Sequence, residues 1–270
     1  MSFARAICKA MEKIAPLRLA EPWDNVGLLL EVPPINPATK KVLLTIDLTP
    51  SVAQEAISNQ ASLIIAYHPT IFKPLRSLTL TDPLQASLVR LTQAGISVYS
   101  PHTALDSVTG GINDWLVQAF TPDHPTVSYI ENKNDEAGGG GRLVTLPSPG
   151  ISIADAVLRV KNHLEIKQVQ LATPIEGARN ISTIAICAGS GGSMFKDVSA
   201  DLYFTGEMSH HEVLAARAMN RYVILCGHTN TERGYLRTLK EKLIQEKSDE
   251  ALTGLEIIIS NQDKHPLQIV

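Results

Sequence analysis

Short β-branched apolar runs recur along the chain and alternate with stretches of helical periodicity. A strand turns successive side chains to opposite faces, and a helix brings every third or fourth onto one face. On that basis the apolar runs predict strands over 26–30, 41–47, 63–67, 96–100, 142–146, 167–172, 181–187, 201–205, 222–226 and 255–259. Helical spacing places Phe3, Ile7, Met11 and Ile14 on one stripe, and Val52, Ala53, Ala56 and Ile57 on another within 50–60. A third helix over 82–94 carries Leu84, Leu88 and Leu91 and is stopped by Gly95. Ser152 with Asp155 forms a cap ahead of Ile153, Ala156, Val157, Val160 and Leu164. Further helices are expected from His210 toward Met219 and, on the surface, over 229–247.

Strands that alternate with helices require crossover connections. They predict an α/β protein whose sheets are mixed and largely parallel. One stretch breaks the order: the polar run Glu131-Asn132-Lys133-Asn134-Asp135-Glu136 leads into Gly138-Gly139-Gly140-Gly141. Glycine carries no side chain to pack, so this run is expected to be a flexible connection or exposed loop. It divides the chain into an N-terminal α/β lobe over 1–130, a Gly-rich connection over 131–141 and a C-terminal α/β lobe over 142–270.

The chain's 270 residues, 44% apolar and 19% charged, suffice for one large core or two linked lobes. Lys and Arg total 24 against 27 Asp and Glu, a net charge of -3 that argues against a general nucleic-acid binder. No apolar run approaches the ~20 residues that span a bilayer. Segment 3–14 is basic and amphipathic, which admits a mitochondrial presequence. Glu12 and the scarcity of serine favour an ordinary first helix, and a cytoplasmic location is expected. Cys8, Cys187 and Cys226 include no CxxC pair, and the last two lie in apolar runs. They read as small buried hydrophobes in a reducing compartment.

The chemistry concentrates at strand ends. His68-Pro69 follows 63–67, Pro101-His102-Thr103-Ala104-Leu105-Asp106 follows 96–100, and Gly227-His228-Thr229-Asn230-Thr231-Glu232 follows 222–226. Gly206-Glu207-Met208-Ser209-His210-His211 follows 201–205. Ligands of open α/β sheets bind beyond the carboxyl ends of the strands. Imidazole and carboxylate groups gathered there suit zinc, iron or manganese. His228 and Glu232 are spaced to share one face of a first helical turn, as are His102 and Asp106. His124, His163 and His265 lack such a context and read as surface or loop residues. The small-residue run Cys187-Ala188-Gly189-Ser190-Gly191-Gly192-Ser193 fits either an anion cradle or a tight turn approached by another backbone. In Glu21-Pro22-Trp23-Asp24-Asn25-Val26-Gly27, Asp24 could approach the site but reads first as a turn residue, and Trp23 reads as a large buried anchor.

Taken in order, Trp23-Asp24-Asn25-Val26-Gly27, Tyr67-His68-Pro69, His102 to Asp106, Ala188 to Gly192, Thr205-Gly206-Glu207 and His228 to Glu232 resemble one known family. It is the Nif-three-like family (Ngg-interacting factor three), also described as homologues of GTP cyclohydrolase one, type two. The resemblance runs from about Ala4 to the end of the chain. It implies two facing α/β lobes with a dinuclear metal site in the cleft between them, and ring-shaped hexamers built from dimers. By motif the metal ligands are His68, Asp106, His228 and Glu232, with Glu232 bridging two divalent ions. The middle domain of longer relatives has no room between Asn113 and Arg142. Where bacterial members carry two histidines before the proline, this chain has Tyr67-His68, which resembles the eukaryotic branch. A phenol is a poorer ligand at neutral pH, its ordinary pKa being ~10.

Two functions are expected from this reading. The first is a metal-dependent hydrolase of a nucleotide or phosphate-bearing small molecule, cyclohydrolase-like or phosphoesterase-like, using metal-bound water. Glu232 and His102 are its candidate catalytic residues, and Glu207 and His211 further proton-transfer groups. The alternative is a non-catalytic regulatory protein with structural metals and a partner in transcription, as the family name suggests.

Overall fold

The computed structural model describes residues 2–135, 137–177, 179–246 and 250–268. Its strands are β1 Gly27–Leu30, β2 Lys41–Thr45, β3 Leu63–Ala66, β4 Ser97–Ser100, β5 Thr126–Ser128, β6 Glu131–Asp135, β7 Gly138–Gly140, β8 Arg142–Thr145, β9 Gln170–Ala172, β10 Thr183–Ser190, β11 Leu202–Glu207, β12 Tyr222–Leu225 and β13 Glu256–Ile259. Its α-helices are α1 Phe3–Ile14, α2 Pro50–Ser58, α3 Pro83–Gln93, α4 His102–Ser107, α5 Ile112–Val117, α6 Ile153–Leu164, α7 His210–Ala218 and α8 Tyr235–Gln245. Local chemistry sets the starts. Ser2, Asp82 and Ser152 each accept a backbone N–H of the first turn they precede. Ser209 and Glu212 form a reciprocal capping box on α7.

The chain divides into two compact units, Met1–Leu105 with Tyr235–Lys264, and Asp106–Gly234 with His265–Val270. The first holds a five-stranded sheet in the order β1-β4-β3-β2-β13. Its inner ladders are parallel and only β1 runs antiparallel. Leu43, Ile64 and Val98 pack with Val52, Ala56 and Leu91 of α2 and α3. The intervening Val42, Leu44, Leu63 and Ile65 are buried as well, so both faces of the sheet are covered. Helix α8, with Leu236, Leu239 and Leu243 buried, packs on β2 and β13. The buried stripe of α1 is Ala4, Ile7, Met11 and Ile14 together with Ala6 and Ala10.

The second unit holds a six-stranded sheet in the order β5-β8-β10-β11-β12-β9. Here only β10-β11 and β11-β12 are parallel, so the expectation of largely parallel sheets holds for the first unit and not for this one. Ala185, Tyr203 and Val223 pack against Phe195, Ala200 and Ala216 on one face. Phe204 meets Phe120 edge-on elsewhere in the unit, with centroids 6.2 Å apart.

The glycine run overturns its sequence reading. Gly138–Gly140 is a buried strand, paired with β6 inside the second unit, and the unit boundary lies elsewhere. The physical reason is close approach. A methyl on Gly139 would lie 2.6 Å from both the Glu131 carbonyl oxygen and Tyr129 Cγ, and one on Gly138 would collide with Ser107 O. The bare backbone also presents carbonyls inward. Arg142, 1% exposed, donates to the carbonyls of Gly139 (2.8 Å) and Gly141 (2.7 Å) and to both carboxylate oxygens of Asp114. A buried guanidinium needs such a full set of acceptors. Residue 136 of the predicted connection lies outside the described residues.

The predicted 229–247 helix is corrected too. A 3₁₀ turn at His228–Thr231 ends at Glu232, and α8 begins only at Tyr235. Gly234 interrupts the two because Trp115 lies against it, and α8 is buried along Tyr235, Leu236, Leu239 and Leu243 rather than being a surface helix. Residue 247 lies outside the described residues. No helix among the described residues is long and apolar enough to cross a membrane.

Candidate metal centre

In the first unit, strand register gathers the site. Thr45 lies opposite Ala66 and Ile65 opposite Tyr99 in parallel ladders. Continuing both ladders past the strand ends sets Asp47 beside His68 and His68 beside His102. The side chains follow: His68 Nδ1 lies 2.9 Å from Asp47 Oδ1, and the His68 and His102 rings are 5.5 Å apart. Antiparallel β1 brings its preceding turn to the same end, with Gly27 opposite Ser100. Asp24 therefore reaches Thr103 N (3.1 Å), Thr103 Oγ1 and His102 Nδ1 (2.8 Å). Burial opposes charge on Asp24, but the hydrogen bonds from His102 and Thr103 outweigh it and hold the carboxyl below its ordinary pKa. His102 itself has φ 31°, a left-handed conformation that side chains rarely adopt.

Tyr67 is buried, its ring 4.9 Å from His68 and 5.5 Å from His102. Its backbone carbonyl accepts Ser100 Oγ at 2.8 Å. Trp23 is not the buried anchor its turn suggests: it is 62% exposed. It meets Phe72, itself 49% exposed, at 6.0 Å and 66°, and His102 at 6.1 Å and 75°.

In the second unit, β11 and β12 carry the remaining groups to adjacent parallel ends, with Thr205 opposite Leu225. His228 Nδ1 lies 3.0 Å from Glu207 Oε1, and His228 Nε2 lies 3.3 Å from Glu232 Oε1. Glu232 is 1% exposed. It leaves the 3₁₀ turn at φ -123°, so the predicted pairing on one helical face is realised through a turn instead. Thr231 Oγ1 ties this turn to its neighbour by accepting Gly189 N (2.9 Å) and donating to His228 O (2.7 Å). Gly189 (φ +64°) leaves room for the pair: a methyl there would stand 2.7 Å from Glu232 Oε1 and 2.9 Å from His228 Nε2. Cys187 to Ser190 of the small-residue run therefore belong to the end of β10, and the groups that crowd Gly189 are side chains.

Asp106, half-buried, accepts Asn113 Nδ2 on its backbone oxygen at 3.0 Å. Burial pushes the Cys187 thiol well above its ordinary pKa, and the charges of Asp106, Glu232 and Glu131 add to the effect. The Cys226 thiol is pushed up to about 12 by burial alone. Both stay protonated, which disfavours thiolate ligation; Cys226 is buried as read, and Cys187 only half-buried. Beside the Glu207–His228 pair opens a cavity of about 580 Å³, lined also by Lys167, Gln168, Asn230 and His265. A volume of this order suits a small molecule.

The structure thus brings His68 to His102 within one unit and His228 to Glu232 within the other. Asp47 was not expected at the site, and Asp24 was read as a turn residue that could approach it; the signal of both is position in the parallel and antiparallel ladders, legible only once strand order is known. His211 is exposed beside His210, with the rings 5.4 Å apart. His265 lies in a loop, as read, whereas His163 is a half-buried residue of α6. His163 packs on Trp115 at 4.6 Å, where burial lowers its pKa, and His265 Nδ1 lies 3.0 Å from Thr229 Oγ1.

Over residues 3–266 the chain matches the profile of the DUF34/NIF3 family, NGG1p interacting factor 3. It is 44% identical over 265 residues to the NIF3 homologue of Schizosaccharomyces pombe, covering 96% of this chain and 95% of that protein. It is 40% identical over 282 residues to NGG1-interacting factor 3 of Saccharomyces cerevisiae, covering 97% and 96%. A Bacillus cereus protein related to NIF3 shares the fold, with a TM-score of 0.83 at 19% identity over 100% of this chain and 99% of that one.

Proposed function

Because the chain belongs to the DUF34/NIF3 (NGG1p interacting factor 3) family, we propose that it binds two divalent metal ions and hydrolyses a nucleotide or another phosphate-bearing small molecule. In this reading the ligands of the two ions are His68, Asp106, His228 and Glu232. The donor set fits: imidazoles and carboxylates suit zinc, iron or manganese, and protonated thiols do not compete. The observation that carries the reading is the His228–Glu232 pair, 3.3 Å apart beside a glycine that leaves space for it.

When bound, such an ion supplies Lewis acidity, drawing charge from a phosphate and acidifying water. The chain's own residues do the rest. Asp47 and Glu207 hold the Nδ1 atoms of His68 and His228, which orients the opposite nitrogens as ligands. Asp24 holds His102 Nδ1, leaving its Nε2 to carry a proton to or from a substrate. The cavity beside Glu207 has room for that substrate.

Elemental analysis of protein purified without chelators is expected to find about two transition-metal ions per chain, and fewer in Asp106→Ala with the fold intact. Unchanged stoichiometry in that variant would sink the site. Turnover on a panel of phosphoesters and GTP should vanish in Glu232→Gln.

A second reading, a non-catalytic regulatory protein with structural metals, is supported by the name of the yeast relative, an NGG1-interacting factor. Metal-replete protein with no turnover on the whole panel would favour it. A homo-oligomer and a cytoplasmic location belong to both readings.

A further inference from the structure

Exposing a tryptophan and a phenylalanine together is costly in water, and here both stand on fixed backbone. Trp23 sits in the turn that Asp24 pins to Thr103 and His102, and Asn25 Nδ2 donates to Ile71 O beside Phe72. Trp23, Phe72 and His102 meet edge-to-face, at interplanar angles of 66°, 75° and 85°. That packing leaves the Trp23 ring largely open to solvent, at 62% exposure. His102 in turn adjoins His68, so the corner continues into the proposed metal site. The loop that carries Phe72 also carries exposed Lys73 and Arg76, and no acid before Asp82.

We propose that Trp23 and Phe72 seat the planar heterocycle of an anionic, nucleotide-sized ligand, with Lys73 and Arg76 favouring its charge. Base–aromatic stacking tolerates different bases because every base offers a π-face. A rigid platform of this kind gains affinity by losing little entropy on binding. The assignment rests on the metal-site reading for the role of the ligand, and deepens it by naming what is recognised.

Calorimetric titration of the full chain with GMP, AMP and ribose 5-phosphate tests it, with metal content measured on the same samples. Both nucleotides should bind at least about tenfold more tightly than ribose 5-phosphate. Trp23→Ala should weaken the nucleotides by about tenfold or more and leave ribose 5-phosphate unchanged, while Trp23→Phe stays within a few-fold of the wild type. Equal nucleotide affinity in wild type and Trp23→Ala overturns the proposal, as does a failure of nucleotides to bind. So does a Trp23→Ala protein whose mass by light scattering falls while nucleotide affinity holds, which would assign the corner to a second copy of the chain. Normal metal content with any of these results defeats this inference alone. A metal-free wild type that still binds nucleotides through Trp23 defeats the metal reading alone.

Discussion

His102 with Asp24, and His228 with Glu207, are the same chemical pair in different surroundings. The Nδ1–carboxylate distances are 2.8 and 3.0 Å, yet the Asp24 side chain is 0% exposed and that of Glu207 57%. The first carboxylate is enclosed by donors on Thr103 as well as His102, so it fixes the imidazole. The second is open to water, which screens it. His228 is held from the other side, by buried Glu232 and by the space that Gly189 leaves. The contrast teaches that similar distances do not mean similar work: one histidine is fixed by an enclosed carboxylate, the other by a solvated carboxylate backed by buried Glu232 and backbone room.

Gly189→Ala should have the largest effect. A methyl would strain a left-handed residue and press on both His228 and Glu232, costing about 2–5 kcal/mol and displacing the ligand pair. Thermal unfolding and metal content together check this; a variant with wild-type values of both would show that the second region does not depend on that space.

Asp24→Ala should come next, at about 2–4 kcal/mol, because it strands donors on His102 and Thr103. Urea unfolding measures it, and a loss under 0.5 kcal/mol, on the order of an ordinary surface change, would reduce the first pair to the rank of the second. Its pH dependence has a definite sign. The Asp24 carboxyl ionises at lower pH in the folded chain than its ordinary 3.8. The stability it adds is therefore complete above about pH 5 and is lost as pH falls below 4 toward the folded value. The stability gap between wild type and Asp24→Asn should narrow over that acid range; a gap that widens there contradicts the assignment.

Glu207→Gln should do least to the fold, within about 0.5–1 kcal/mol, since the side chain is mostly exposed. Its effect should fall instead on metal affinity, lowered about tenfold through His228. Isothermal titration with zinc or manganese decides this, and an unchanged affinity would remove Glu207 from any part in the site.

Much of the candidate centre was legible along the chain. His68, His102, Asp106, His228 and Glu232 all follow apolar runs, and the end of a strand is where an α/β sheet presents its ligands. Asp47 was not legible as a partner, and Asp24 was legible only as a turn residue that could approach the site. They lie far from His68 and His102 in sequence, and meet them only through strand order and register. The glycines at 138–140 misled for the converse reason: freedom of the isolated backbone says nothing of a neighbour close enough to need it.

Strand and helix positions, caps and the strand-end placement of the histidines and carboxylates were written in local order, because side-chain periodicity and capping act over a few residues. Register, the burial of the glycine strand around Arg142 and the exposure of Trp23 were decided by folding alone. Each depends on groups distant in the chain, whose approach no local pattern encodes.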